Sequence, residues 1–240
     1  MTPLVLVHGF MGGSAQWNGY VDMLARQLDL ITVDLPGFGA NADLPPIFSI
    51  AGYADWLVRH LRGLGVARYH LLGHSMGGMI AQEAALRDSK RIERLVLYAT
   101  GAVGVLPGRF ETIEDSKRRA AEDGPVATAR RIAATWFLDR EAAHGFDVCA
   151  SIAAQTQLVA INAGLNAMQS WSAEQNLNQI RQETLLLWGD HDRTYPWPQI
   201  QRLWEAIPHT SLAVVPGCAH ALHAEKPDLF QRLLADFLLR

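Results

Sequence analysis

The chain has 240 residues, 49% of them hydrophobic and 19% charged, which suits one α/β domain or one domain carrying an insertion. Its 21 basic residues against 24 acidic ones, a formal net charge of −3, with no polybasic run, argue against nucleic acid or an anionic membrane as partner. The two cysteines, Cys149 and Cys218, lie far apart and form no CxxC pair, so two buried thiols are expected rather than a disulfide framework or a zinc site.

The first residues, "MTPLVLVHGF", have no basic leader or small-residue cleavage site, and no later stretch reaches the ~18 apolar residues of a membrane span; a cytoplasmic protein is expected. Short apolar runs then recur, each closed by a turn signal: 3–7, 30–33, 69–72, 94–99, 184–188 and 211–215. Runs this short and apolar predict strands buried on both faces. Between them, helical spacing predicts helices over 17–28, 50–62, 76–87, 198–206 and 225–239. This alternation predicts a mostly parallel sheet of about six strands flanked by helices. Residues 101–182 break the rhythm: they are rich in Ala and Arg and contain no convincing strand. They predict a helical cap inserted after the fourth strand, over the carboxyl edge of a core made of 1–100 and 183–240.

The third run leads into "GHSMGG". A Gly-x-Ser-x-Gly between strand and helix forces a sharp turn that lifts the Ser75 hydroxyl above the sheet. A serine hydroxyl needs a base; His220, after the sixth strand, is the candidate, with His223 expected to pack or cap on a following helix. The imidazole needs an orienting carboxylate. Asp192 is the candidate, and Asp190, nearer the strand, is expected to shape the turn. Donors for a negative oxygen are expected from the backbone N–H groups of Met76 and of Phe10 in "HGFMGG". His8 reads as a structural side chain linking loops. Trp136, Phe137, Met168 and Trp171 are candidates for the wall of an apolar pocket under the cap.

With "HGF" at 8–10, "DLPGFG" at 34–39, "GHSMGG" at 73–78, "WGDHDRTYP" at 188–196 and "GCAHALHAEKP" at 217–227, the chain resembles the α/β-hydrolase superfamily over nearly all of its length except the cap. The resemblance implies a Ser75–Asp192–His220 triad needing no metal or cofactor. It does not name a substrate. "HGFMGGSAQW" is similar to the pyruvate-eliminating synthases of menaquinone biosynthesis, but Met79 stands where those usually carry arginine. Ala221 stands where meta-cleavage-product hydrolases often carry tryptophan, and Ser75 excludes the aspartate nucleophile of haloalkane dehalogenases and epoxide hydrolases. A chain starting at the strand before "HGF" also suggests a sheet trimmed of the family's usual leading hairpin.

The leading expectation is therefore hydrolysis of a small carboxylic ester, thioester or lactone through an acyl-enzyme on Ser75. A second is carbon–carbon bond hydrolysis or elimination on a dicarboxylate. That chemistry needs cationic anchors, for which the cap offers Arg109, Lys117, Arg118, Arg119, Arg130 and Arg131. A third is a ligand receptor that keeps the triad but acts by binding, and a peracid-forming activity is a side possibility. Oligomeric state is not legible.

Overall fold

The computed structural model describes residues 2–105 and 111–240. Six strands, β1 (Leu4–Val7), β2 (Leu30–Val33), β3 (Tyr69–His74), β4 (Ile92–Tyr98), β5 (Glu183–Gly189) and β6 (Thr210–Val215), form one sheet in the order β2-β1-β3-β4-β5-β6. Every neighbouring pair is parallel. Inner strands β1 and β3 are buried throughout, as their unbroken apolar runs require. The edge strands depart from the expectation of burial on both faces: β2 and β6 keep partly exposed residues because each has a neighbour on one side only.

Helices α2 (Ile50–Gly63), α3 (Met76–Arg87) and α7 (Trp197–Ala206) cover one face, burying Tyr53, Leu57, Ile80 and Leu203 against it. On the other face, α1 (Asp22–Ala25) and α9 (Pro227–Leu238) bury Leu24, Phe230 and Leu234 against Leu72, Val96 and Leu185. α2 begins at Ser49, whose hydroxyl accepts the N–H of Gly52, and carries its apolar residues along one stripe.

One predicted helix is replaced by shorter pieces. Over 17–28 the chain makes a 3₁₀ turn (Ser14–Trp17) and the single turn α1, because Gly19 takes φ +77° and interrupts the helix. The predicted closing helix is present as α9, which starts at Pro227 in its first turn, and a separate single turn, α8 (Leu222–Glu225), precedes it.

Between β4 and β5 lie α4 (Ile113–Ala134), α5 (Phe146–Ala153) and α6 (Leu158–Gln169). α4 is broken at Gly124-Pro125. α6 passes so close to the loop after β1 that a Cβ added at Gly164 would stand 2.8 Å from the Phe10 ring. The inserted helices therefore lie over the carboxyl edge of the sheet. β1 sits between β2 and β3, so the chain's winding reverses there, and open α/β sheets bind ligands at such a switch point.

Candidate active site

The turn between β3 and α3 places Ser75 at φ 56° and ψ −119°, a conformation rare for a residue with a side chain. Such strain costs about 1–3 kcal/mol and persists only where the surroundings enforce it. Here Ser75 N–H donates to Tyr98 O at 2.9 Å, and Thr100 Oγ1 donates to Ser75 O at 2.7 Å. The elbow is packed down onto β1: a Cβ at Gly77 would stand 2.4 Å from His8 O and 2.5 Å from Val7 O.

His220 and Asp192 come from loops after β6 and β5. His220 Nδ1 lies 2.9 Å from Asp192 Oδ2, with both side chains buried. The carboxylate is itself held, since Oδ1 accepts the N–H groups of Thr194 (2.7 Å) and Tyr195 (3.2 Å). The ionised carboxylate accepts only, so Nδ1 carries the proton and Nε2 is free to accept one. Asp190 points elsewhere, accepting from Cys218 N at 3.3 Å in the turn.

Ser75 and His220 share a small cavity of about 10 Å³, also lined by Gly9, Phe10, Gln16, His74, Trp136, Cys149, Ala221 and His223. That is room for about one water-sized group. Two larger hollows, about 530 and 580 Å³, lie at the opposite edge of the sheet, around residues preceding β1, β3, β4 and β5. Neither contains a residue of the serine–histidine–aspartate set. Phe10 lines the cavity, and neither its N–H nor that of Met76 has a backbone acceptor among the described residues.

Three further histidines, all buried, stand around Ser75 and His220. His8 accepts from Leu35 N at its Nε2 (3.0 Å), so its Nδ1–H donates to Gly9 O (2.7 Å). Burial holds it down to about 4, so it stays neutral while tying the loops after β1 and β2 together. His223, on α8, is pushed down to about 3 by burial and then by the neighbouring His220. His74, directly before Ser75, is held well below 6.5 by burial and then by His220 and His223. Its ring stacks on Tyr98 and tilts against His220 at 4.7 Å. His74 Nε2–H donates to His220 O at 3.2 Å, and Tyr98 donates to the same oxygen at 3.0 Å. His220 is thus fixed at its carbonyl by two groups from the nucleophile side. Sequence reading did not assign this to His74 or Tyr98. Only the adjacency of His74 to Ser75 hinted at it.

The cap is anchored to the loops that carry Asp192 and His220. Ala221 N–H donates to Trp136 O (2.8 Å), Arg193 donates to Phe137 O (3.0 Å) and Leu138 O (3.2 Å), and Leu138 N–H donates to Glu225 Oε1 (2.6 Å). Glu225 Oε2 also accepts from Ala219 N (2.6 Å). These bonds hold the Trp136 ring 6.5 Å from that of His220.

Of the four expected wall residues, only Trp136 lines the cavity. Phe137 is fully buried inside the cap, edge-on to Phe146. Met168 and Trp171 sit in the main core, and Trp171 Nε1 donates to Glu83 Oε1 at 2.8 Å. The cap's cations do not reach the cavity either. Lys117 pairs with Glu114, Arg118 with Asp115 and Glu122, Arg119 and Arg131 with Glu111, and Arg130 with Glu141 and Asp147. Arg109 lies outside the described residues. Among the described residues no group of three or more side chains is placed to hold a metal ion, and no single helix is long and apolar enough to cross a membrane. Both thiols are buried and free, with Cys149 pushed up to about 12 by burial.

The sequence profile of the alpha/beta hydrolase family matches residues 4–233. This chain belongs to the alpha/beta hydrolase family. The "Putative carbamate hydrolase RutD" of Pseudomonas savastanoi pv. phaseolicola is 31% identical over 98% of this chain and 93% of its own length. The pimeloyl-acyl-carrier-protein methyl ester esterase of Nitrosomonas europaea is 28% identical over 95% of this chain and 92% of its own. Among solved structures, the enol-lactonase of Burkholderia xenovorans LB400 superposes with a TM-score of 0.90 at 22% identity, covering 100% of this chain and 92% of that one, a likeness of fold. As an alpha/beta hydrolase the protein is an enzyme, a hydrolase.

Proposed function

We propose that this alpha/beta hydrolase cleaves esters, thioesters, lactones or carbamates whose acyl group is small and uncharged, through a covalent intermediate on Ser75. The observation that carries the reading is the His220–Asp192 pair at 2.9 Å facing the cavity that Ser75 shares. His220 Nε2 takes the Ser75 proton as Oγ attacks the carbonyl carbon. The N–H groups of Phe10 and Met76 receive the developing negative oxygen, each such donor being worth about 3 kcal/mol in the transition state. His220 then protonates the leaving group. Water, activated by the same imidazole, releases the acid and restores Ser75. The carbamate name of RutD widens the ester class to carbamates.

The cavity's size supports a short acyl substituent, and the lack of any Lys, Arg, Asp or Glu among its lining residues supports an uncharged one. The same observation weighs against the dicarboxylate reading. The test is hydrolysis of p-nitrophenyl acetate, butyrate and octanoate by wild type and Ser75→Ala. Activity is expected to fall along that series and to drop on the order of 10⁴-fold in kcat with the substitution. Turnover that survives Ser75→Ala would refute the mechanism, and a preference for octanoate would refute the acyl-size reading.

A further inference from the structure

The backbone around His220 is fastened from several directions. His74 and Tyr98 hold the His220 carbonyl from the nucleophile side, and Ala221 N–H donates to Trp136 O of the cap at 2.8 Å. Ala219 N–H, on the other side of the histidine, donates to Glu225 Oε2 at 2.6 Å. The hydrolytic steps give Glu225 no part.

Glu225 ends the single turn α8 that follows His220. Its two oxygens grip different parts of the molecule. Oε2 accepts from Ala219 N–H and from Cys218 Sγ at 3.3 Å, the residues just before the base. Oε1 accepts Leu138 N–H, in the cap, at 2.6 Å. Bonds from N–H groups to an ionised carboxylate are stronger than those between neutral groups. The carbonyl of the same Leu138 accepts from Arg193 at 3.2 Å, and Arg193 also donates to Phe137 O at 3.0 Å. Arg193 is the residue after Asp192. Leu138 is thus held at its N–H by the loop of the base and at its carbonyl by the loop of the acid. It bridges the two loops whose side chains meet at 2.9 Å.

We propose that Glu225 and Arg193 are positioning residues: by gripping Leu138 of the cap from two sides, they set the spacing of the loops that carry His220 and Asp192. The inference rests on the serine-hydrolase reading above. A displacement of ~1 Å in catalytic groups costs on the order of 10²-fold in rate, so the pair needs such a brace. The bonds of Thr194 and Tyr195 N–H to Asp192, and those of His74 and Tyr98 to His220 O, remain when the brace is cut and limit the loss. Neither Glu225 nor Arg193 lines the cavity that Ser75 shares. Cutting the brace therefore removes no contact with substrate, and its effect belongs in kcat rather than KM.

The test is steady-state hydrolysis of p-nitrophenyl acetate by Glu225→Ala, Arg193→Ala and the double variant, with urea denaturation to show that each is folded. Arg118→Ala, on the outer face of the cap, is the control and keeps wild-type kinetics. Glu225→Ala is expected to lower kcat about tenfold and Arg193→Ala about threefold, each with KM within about twofold of wild type. Both act through one residue, so the double variant should lose less than the product of the single losses. Arg193→Lys, which keeps a donor for one carbonyl, should recover part of the loss, whereas Glu225→Gln, with one acceptor oxygen for two N–H groups, should fall between alanine and wild type. If Glu225→Ala does not fold, Glu225→Gln carries the same test. A kcat within about twofold of wild type in the folded Glu225 variant, a loss that lies in KM, or losses that multiply in the double variant overturn the proposal. Fluorophosphonate labelling of wild type separates the two levels. If Ser75 is not labelled, the serine-hydrolase reading fails; if it is labelled and kcat does not move in the variants, only the brace fails.

Discussion

The elbow around Ser75 and the cap above it are built on different physics. At the elbow, backbone meets backbone: the added Cβ at Gly77 would stand 2.4 Å from a carbonyl oxygen, and Ser75 is held at positive φ by bonds to Tyr98 and Thr100. On the cap, the outer face of α4 is a lattice of ion pairs between largely exposed side chains, such as Arg118 with Asp115 and Glu122. The first arrangement tolerates almost no change, and the second can lose members at little cost. The cap's precise part is the short segment 136–138, where Arg193 and Glu225 fasten it to the catalytic loops.

The sharpest way to break the comparison is Asp192→Asn. Loss of the carboxylate should leave the imidazole in the wrong tautomer and cut kcat on the order of 10⁴-fold at neutral pH. Steady-state kinetics on p-nitrophenyl acetate check this, and a loss under tenfold would remove Asp192 from the triad. Next, Gly77→Ala should destabilise the fold by about 3 kcal/mol or more, because the atoms it meets are backbone and cannot turn aside. Urea denaturation reads it, and near-wild-type stability would mean the elbow is looser than described.

Acid should act on the same end of the molecule. His8 titrates at about 4 when folded against an ordinary 6.5, so between those values the unfolded chain binds the extra proton. Stability therefore falls as pH drops from about 6.5 towards 4, by about 3 kcal/mol from this group. His223, lowered to about 3, adds a loss of the same sign. Urea midpoints at pH 7, 5.5 and 4.5 should shift less in His8→Asn than in wild type; equal shifts would deny His8 its part. The smallest effect belongs to the cap: Arg118→Ala should cause no measurable loss in the urea midpoint, because both its partners are solvent-screened. A measurable loss would mean that the lattice supports the cap after all.

The legible features were those set by local chemistry. Six apolar runs ending at turn residues mark six strands, and "GHSMGG" between strand and helix marks the elbow. The loops carrying Asp192 and His220 follow the fifth and sixth strands, so a parallel sheet must bring both to the edge where Ser75 sits. Hydrophobic spacing misjudged 17–28, where Gly19 interrupts the helix, and took Phe137, Met168 and Trp171 for pocket lining when they fill cores. An aromatic residue in a helical segment is buried in any case. Which neighbour buries it depends on how the helices pack.

By itself, then, the sequence determined the succession of strands along the chain and the strand–turn–helix that carries Ser75, and it singled out Asp192 and His220, because strand-end loops and glycine-bounded turns are short-range consequences of residue type. Only the tertiary structure decided which side chains face Ser75. Gln16, His74, Trp136 and His223 come from four separate segments. Their convergence is a property of packing, in which a side chain's role follows from what stands opposite it.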